Sequence, residues 1–525
     1  MRDEPVISDP PSIGAAVLAR SAAQTLAEQL SGHYAARIRQ RLLLPGARLP
    51  SVRESARRHR VSTSTVVAAY DQLLAQGLVE AKRQRGFFVR DGDALAPRGA
   101  VDPTTTVDPR PSATRLEITT ERPLPATAPR PPAPQRPPPV DATALIRGMF
   151  AVDASRPAPG LGTLPAEWLD AAMLQTALRR VMTPTPVPRA SRTAAHVAAP
   201  GLPSYLSYGE PAGDSRLRHA LAQRLADFGV RASPEQIVTA NGATHALDIV
   251  SRGLLSPGDA VLVDEPGWSV EFARMTQLGM RLLPVPRGID GPDLAAMAAL
   301  AQAHHPRLYV TVSVLHNPTG TSLSLASAHQ VLRLAEQHDF RIMEDDTYAH
   351  LAPTHAPRLS ALDGLRRTIY VSGFAKILTP GWRVGFVAAP PDLVDRLVDV
   401  KLLGTLTTPA LLEQAVAVCL EQGWLRRHAE RVITRLGAAR TRSVKLALAA
   451  GCRFVTPPAG LFGWVDTGVD TERLATDMLD EGWLLAPGTV FHARRRPSTM
   501  MRINFGTTQD ARFWKAFEKA RDALT

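Results

Sequence analysis

Lys376 is the residue of this sequence best suited to covalent chemistry. It is the only lysine between Lys82 and Lys401, although the chain has 61 lysines and arginines in all. A guanidinium stays protonated, whereas a lysine amine in a shielded site can lose its proton and form an imine with an aldehyde. Arg383, seven residues later, supplies a cation for a phosphate. This spacing suits a phosphorylated aldehyde, and the alternative is a surface lysine in a turn.

Two segments that follow predicted strands carry residues able to hold a flat, phosphorylated molecule. Gly242, Ala243 and Thr244 lie between a predicted strand and a helix, so their backbone N–H groups would face a phosphate at the helix N-terminus. Trp268 follows the next predicted strand, where it could stack on a planar ring. An ordinary glycine turn and a core tryptophan are the alternatives for these two segments.

Asn317 and Tyr348 also follow predicted strands, and Asp345 ends one. The carboxylates within Glu344–Tyr348 resemble a metal cluster, but no histidine or further carboxylate is suitably placed nearby, so we predict no metal. An aspartate beside a pyridine nitrogen keeps that nitrogen protonated, and an amide and a phenol can hydrogen-bond the ring phenolate. Together with Lys376, these residues predict pyridoxal 5′-phosphate (PLP) as the cofactor.

The N-terminal part has the pattern of a helix-turn-helix followed by a hairpin. Residues 26–41 have the apolar spacing of an amphipathic helix, Ser51 can start a second helix, and Ser62 can cap a third that closes at Gly77. Residues 82–89 predict a hairpin with a cationic tip, or wing. Two short helices joined by a turn are typical of docking into a DNA major groove.

From Pro45 to Val89 the chain resembles the GntR-type winged-helix regulators, with the motifs PGxxLPSxRxxA and VSxxTVxxAYxxLxxxG and a glycine wing that ends in Phe-Val. Many relatives carry an arginine where Thr63 stands, so the base preference of this chain can differ. A module used only for dimerisation is the alternative. The resemblance implies that double-stranded DNA is contacted by Arg53, Ser62, Thr63, Ser64 and Thr65, and by Arg83, Arg85 and Gly86 in the wing.

Composition indicates a soluble protein with a polyanionic partner. The formal net charge is +12, and residues 26–90 hold 12 Lys and Arg against 4 Asp and Glu, which gives 12 − 4 = +8. We find no secretory signal and no apolar run long enough to cross a membrane, so we expect a cytoplasmic location. Cys419 and Cys452 are not spaced like zinc ligands or a disulfide framework.

The pattern along the chain predicts an α/β protein. We expect a flexible N-terminus over residues 1–22, the winged helix-turn-helix over 23–90 and a proline-rich linker over 91–140. Short apolar strands then alternate with helices, which predicts a doubly wound domain within 141–525. From about residue 410 onward, long helices and short strands predict a smaller α+β lobe.

The order of the motifs after Gly160 resembles the fold-type I aminotransferases of class I/II, most specifically in Asn317-Pro-Thr-Gly and in Lys376 followed by Arg383. The resemblance implies an imine between Lys376 and PLP, with Arg383 and the 242–244 loop on the phosphate. It also implies that Tyr208 reaches the phosphate of the other subunit and that Arg502 pairs with a substrate α-carboxylate.

One departure from that family concerns the phosphate pocket. Gly373 and Ala375 stand where relatives often have hydroxyl residues, so cofactor affinity can be lower unless Ser372 compensates.

A GntR-type module linked to an aminotransferase-like domain resembles the MocR-type regulators. The leading hypothesis is a bacterial transcription factor in which PLP, or its adduct with an amino compound, alters DNA binding. The resemblance implies a head-to-tail homodimer. The alternatives are a working PLP-dependent aminotransferase with an accessory DNA-binding domain, and a PLP-free sensor.

Overall fold

The computed structural model describes residues 24–39, 43, 46–82, 86–90, 158–183, 207–494 and 496–525. The predicted N-terminus (1–22) and linker (91–140) lie outside the described residues, as do Arg83 and Arg85. None of the helices in the described ranges is long and apolar enough to span a membrane.

The N-terminal module, residues 24–90, is a winged helix-turn-helix. Ser51 and Ser62 cap α2 and α3 with their side chains, as predicted, because each hydroxyl accepts a hydrogen bond from an N–H of the first turn. Its elements are α1 (Leu26–Arg39), α2 (Val52–His59), α3 (Thr63–Ala75), β1 (Val79–Lys82) and β2 (Gly86–Val89).

The module has its own core, in which Leu30, Tyr34, Val66, Tyr70 and Leu73 are almost fully buried between the three helices and the hairpin. This core is separate from those of the rest of the chain.

A seven-stranded sheet forms the centre of the large domain. Its order is β3-β9-β8-β7-β6-β4-β5, and β9 alone runs opposite to the other six strands. The strands are β3 (Ile237–Ala240), β4 (Ala260–Glu265), β5 (Arg281–Pro286), β6 (Leu308–Thr311), β7 (Arg341–Asp345), β8 (Thr368–Gly373) and β9 (Gly385–Ala388).

Helices cover both faces of this sheet. Successive strand residues point to opposite sides, so each strand contributes side chains to two cores. Val261 and Val263 of β4 pack into one core, whereas Ala260 and Leu262 pack into another. The predicted doubly wound α/β architecture is therefore confirmed. The helices in chain order are α4 (Ala171–Met182), α5 (Ser215–Asp227), α6 (Ala243–Leu254), α7 (Ser269–Gln277), α8 (Leu294–His304), α9 (Leu325–Gln337), α10 (Leu359–Asp363) and α11 (Pro391–Thr405).

The C-terminal part begins with two helices and continues as the small lobe, an antiparallel four-stranded sheet in the order β10-β11-β13-β12 with helices packed on it. Helix α12 packs against α4 and α5. The remaining elements are α12 (Ala410–Glu421), α13 (Trp424–Ala449), β10 (Arg453–Phe454), β11 (Phe462–Asp466), α14 (Thr471–Asp480), β12 (Ala486–Pro487), β13 (Met500–Asn504) and α15 (Ala511–Asp522).

Candidate functional site

The largest concentration of predicted site residues lies at the carboxyl ends of β3, β4, β6, β7 and β8. These strands are parallel to one another, so the loops that follow them meet at one edge of the sheet. There they surround the central cavity, an open space of about 1000 Å³ that includes its solvent-filled mouth. Nine of the predicted residues line it: Ala243, Thr244, Trp268, Asn317, Asp345, Tyr348, Lys376, Arg383 and Arg502.

Lys376 projects into the central cavity from the turn after β8. Its Nζ donates a hydrogen bond to Gly162 O at 2.7 Å. Burial, with smaller effects of the cations Arg502 and Arg383, lowers the pKa of Lys376 from 10.5 to about 8, although Asp345 opposes this shift. The amine therefore holds its proton less tightly than an ordinary lysine, as a nucleophile requires.

Asp345 ends β7 and faces the same cavity with its side chain 8% exposed. Burial, together with the charges of Glu271 and Asp346, raises the pKa of its carboxyl from 3.8 to about 6, although hydrogen bonds from Thr347 oppose this shift. The Thr347 N–H donates at 3.0 Å, and its hydroxyl binds the same oxygen. Thr347 thus fixes the orientation of the carboxylate.

Arg502 on β13 is a residue of the small lobe that lines the central cavity. Its Nη1 donates to Asn317 Oδ1 at 2.7 Å, and its Cζ lies 4.4 Å from the ring centre of Phe462 and 5.0 Å from that of Phe491. Burial lowers the pKa of Arg502 from 12.5 to about 10, although Tyr348 opposes this shift. Asn317 accepts with its oxygen, so its amide nitrogen is left to donate into the cavity.

Gly242 and Arg383 form one end of the central cavity. Gly242 has a φ of 80°, and a Cβ there would collide with the Arg383 guanidinium, so only glycine lets the arginine lie over this turn. Arg383 Nη2 donates to Asn241 O at 3.1 Å. Thr244 in the first turn of α6 also lines the cavity, which places a hydroxyl, a cation and a helix N-terminus together.

The structure explains the glycine at 373 and argues against compensation by Ser372. A Cβ at Gly373 would lie 3.1 Å from Ala243 N and 3.2 Å from Val384 O, tighter than most side-chain contacts. Ser372 is buried and donates its hydroxyl to Asp346 O at 2.8 Å. The notion that it replaces the missing hydroxyls is therefore wrong, because its hydroxyl is already engaged elsewhere.

Tyr348 and Trp268 flank the central cavity from two loops. Burial raises the pKa of the Tyr348 phenol above its ordinary value, so it remains a hydrogen-bond donor at neutral pH. Trp268 stands at the N-terminus of α7, half-buried between the cavity and the core that contains Phe272. It lines the cavity and also packs on the core, and its stacking on a planar ring stays a prediction.

Tyr208 does not reach the central cavity of its own chain. Its side chain is 81% exposed. The predicted contact with the phosphate of another subunit stays a prediction.

The two carboxylates beside Asp345 have partners of their own. Glu344 accepts hydrogen bonds from Leu359 N at 2.7 Å and Ser360 N at 2.8 Å. Asp346 pairs with Arg358 Nε at 2.5 Å and accepts from the Tyr370 hydroxyl at 2.8 Å. Both Glu344 oxygens and Asp346 Oδ2 therefore have protein partners, whereas Asp346 Oδ1 is buried without a hydrogen bond among the described residues. In the described ranges no group of three or more His, Cys, Asp or Glu is placed to hold a metal ion.

Several residues at the site were not predicted from sequence. Gly160 and Gly162 accept hydrogen bonds from Arg502 and Lys376 through their carbonyls, and backbone acceptors leave no side-chain signal. Thr347 had a signal, since it lies between two predicted site residues, Asp345 and Tyr348.

In the N-terminal module, the predicted DNA-facing residues lie on α2 and at the start of α3. Arg53, Ser62, Thr63 and Ser64 are exposed, and Thr65 is half-buried. The Ser62 hydroxyl lies 2.8 Å from that of Ser64 and 2.7 Å from that of Thr65, which links the first turn of α3.

The wing is the β1–β2 hairpin, and its tip is outside the described residues. Gly86 has a φ of 100° and lies close to the Arg48 side chain. Lys82 Nζ lies 5.0 Å from the ring centre of Phe88, so a cation stands on the hairpin surface.

Two families match this chain. Residues 182–513 match aminotransferase class I and II, and residues 26–89 match the bacterial regulatory proteins of the gntR family. The HTH-type transcriptional regulator YdcR of Escherichia coli is 26% identical over 492 residues, which cover 92% of this chain and 94% of that protein. The probable rhizopine catabolism regulatory protein MocR of Rhizobium meliloti is 33% identical over 234 residues, 44% of this chain and 46% of that protein.

A solved enzyme shares the fold of the C-terminal part. The α-aminoadipate aminotransferase LysN of Thermus thermophilus, crystallised with N-(5′-phosphopyridoxyl)-L-leucine, is 25% identical with a TM-score of 0.63 and covers 72% of this chain and 95% of its own. Because the family match spans more than half of the sequence and follows a GntR-type module, the chain belongs to the class I and II aminotransferase family, in the domain combination of the MocR-type regulators.

Proposed function

We propose that this protein is a transcriptional regulator that binds double-stranded DNA through its N-terminal module and PLP at Lys376. The observation that carries the proposal is the convergence of Lys376, Asp345 and Arg383 on one cavity, in a chain that also has a GntR-type module. Because the domain that contains the cavity is fused to a DNA-binding module, a role in gene regulation is favoured over a role in metabolism.

The residues of the central cavity fit PLP. The Lys376 amine would hold the aldehyde carbon, and Arg383, Thr244 and the turn at Gly242 would hold the phosphate. Asp345 would face the pyridine nitrogen, and Asn317 and Tyr348 the phenolate. When bound, PLP supplies an electron sink for bonds to the α-carbon of an amino compound.

Arg502 indicates the class of effector. Its guanidinium is buried, and its Nε has no hydrogen-bond partner among the described residues. A buried donor without a partner is costly, and a carboxylate would satisfy it. An amino compound with an α-carboxylate is therefore the proposed signal, and PLP itself, which has no carboxylate, is the alternative.

Assembly and location follow from the same proposal. A head-to-tail homodimer would place the exposed Tyr208 of one subunit near the phosphate of the other. A regulator that acts on bacterial DNA works in the cytoplasm.

The experiment has two arms. Purified protein incubated with PLP should gain a visible absorption band that Lys376→Ala lacks and the surface variant Lys445→Ala keeps. A footprint on DNA upstream of its own gene, with and without PLP, should show protection at low salt. A colourless protein would refute cofactor binding, and unprotected DNA would refute the regulator.

A working aminotransferase is the second candidate, because Lys376 and Arg502 are both in place. Steady conversion of an amino acid and a keto acid, abolished by Lys376→Ala, would favour it. Absence of turnover with a broad panel of amino acids, in a protein that carries the visible band, would favour the regulator.

A further inference from the structure

The N-terminal module docks on the small lobe through two arginines and two aspartates. Arg37 on α1 and Arg58 on α2 both bind the Asp480 carboxylate, and Arg58 Nη2 lies 3.0 Å from Asp477 Oδ1. Arg37 Nη2 also donates to Leu479 O at 3.2 Å. Arg37 and Asp480 are only 4% and 3% exposed, and a buried charge is stable only when paired. The buried charges of the N-terminal module and of the small lobe are therefore paired only when these two parts are in contact.

The position of Asp480 shows that this surface is suited to a cationic partner. Asp480 is the last residue of α14, where the helix dipole already places partial negative charge. A carboxylate there is unfavourable without nearby cations. Arg37 and Arg58 supply both of them from the N-terminal module.

On the side of the N-terminal module, the contact lies close to the start of α3, where four of the predicted DNA-facing residues stand. Arg58 is the penultimate residue of α2, and Ser62, four residues later, caps α3. The turn between the helices is tied by a hydrogen bond from Val61 N to Ala56 O at 3.1 Å. A movement of Arg58 would therefore shift the start of α3.

On the side of the cavity, two hydrogen bonds lead from Arg502 to Leu484, in the segment that follows α14 in the chain. Arg502 Nη2 donates to Gly160 O at 2.6 Å, and Gly160 N donates to Leu484 O at 2.8 Å. Leu484 lies four residues after Asp480. A Cβ at Gly160 would overlap the backbone of Leu485, so these two segments are packed without a gap and must move together.

We propose that the acidic end of α14, formed by Asp477 and Asp480, is the docking surface of the N-terminal module and transmits the binding of a carboxylate at Arg502 to DNA affinity. The inference rests on the proposed function and names how the site is regulated. A carboxylate competes with Gly160 O for Arg502, which displaces Gly160, the segment at Leu484 and then the docking surface.

Two probes isolate the carboxylate. N-(5′-phosphopyridoxyl)glycine and pyridoxamine 5′-phosphate share a ring and a phosphate, but only the first carries a carboxylate. DNA affinity of the full chain is measured by fluorescence anisotropy on the footprinted fragment, with the protein saturated by either probe. The two affinities of the wild type should differ by about fivefold or more.

The decisive variant is Asp480→Asn, which keeps the shape of the side chain and removes its charge. It should bind both probes and the DNA, but its two affinities should agree within about twofold. Glu481→Gln is the matched control, because Glu481 is the next residue and is exposed, and it should keep the wild-type difference. If Asp480→Asn does not fold, Arg58→Met makes the same test from the other side, with the exposed Arg57→Met as its control.

The outcomes separate this inference from the function on which it rests. A wild type that binds probes and DNA with no difference between the probes would overturn the inference alone. So would an Asp480→Asn or Arg58→Met variant that binds both and keeps the full difference. A wild type without cofactor or DNA binding would overturn both.

Discussion

At the scale of single residues, reactivity depends on position as well as on pKa. Lys376 and Lys401 are both buried enough that their pKa falls from 10.5 to about 8. Lys376 opens on the central cavity, whereas Lys401 donates to Thr239 at 3.1 Å and Thr408 at 3.3 Å inside the protein. A lowered pKa makes an amine available, but only a cavity beside it lets an aldehyde approach.

The two lysines give a direct comparison. Lys401→Met should keep the visible band of the PLP-treated protein, because Lys401 is fully buried and is not among the residues that line the central cavity. Lys376→Met should lose it. Absorbance spectra after gel filtration check both, and a band that survives in Lys376→Met would show that another amine binds the cofactor.

The pKa of Lys376 predicts how cofactor capture depends on pH. Only the neutral amine attacks an aldehyde, so the rate of PLP incorporation should rise about tenfold per pH unit below pH 8 and level off above it. Arg502→Leu removes a cation that lowers this pKa, so the plateau should move to higher pH. Stopped-flow absorbance measures the rates. A plateau already reached at pH 6, or a profile unchanged in Arg502→Leu, would contradict the assignment.

At the scale of helices and strands, sequence predicted what depends on local pattern. The strand ending at Asp345 and the caps at Ser51 and Ser62 were confirmed, since burial periodicity and hydroxyl capping are local signals. The contacts of Gly160 and the bond of Ser372 to Asp346 were not foreseen. They join segments that are far apart in sequence or use backbone atoms, and neither leaves a pattern in the chain.

Strand β9 packs closely on the turn at Gly242 and Ala243, and a substitution at Gly385 tests whether this packing supports PLP binding. A Cβ at Gly385 would collide with the backbone of Gly242 and Ala243, so Gly385→Ala should displace this turn and weaken PLP binding at least tenfold, a cost of about 1.4 kcal/mol. Gly404→Ala, in α11 with open space around it, should leave PLP affinity unchanged. Titration of the visible band gives both affinities, and equal values in the two variants would contradict the packing argument.

At the scale of the whole molecule, the positive charge is concentrated in the N-terminal module, whereas the cavity lies in the rest of the chain. The segment 26–90 carries +8 of the +12 net charge, which suits it to phosphates of DNA, while the large domain and small lobe surround the cavity. The ion pairs of Arg37 and Arg58 with the small lobe connect the two. Charge predicted the partner from sequence, but the docking surface depends on the three-dimensional arrangement.

The central claim is that one chain holds PLP at Lys376 and DNA at its N-terminal module at the same time. Sedimentation of the PLP-treated protein with fluorescent duplex from upstream of its own gene, at low salt, tests this most directly. We predict that the visible band and the DNA label sediment together, and that Lys376→Ala sediments with DNA but without the band. A colourless wild type, or DNA that sediments free of protein, would contradict the account.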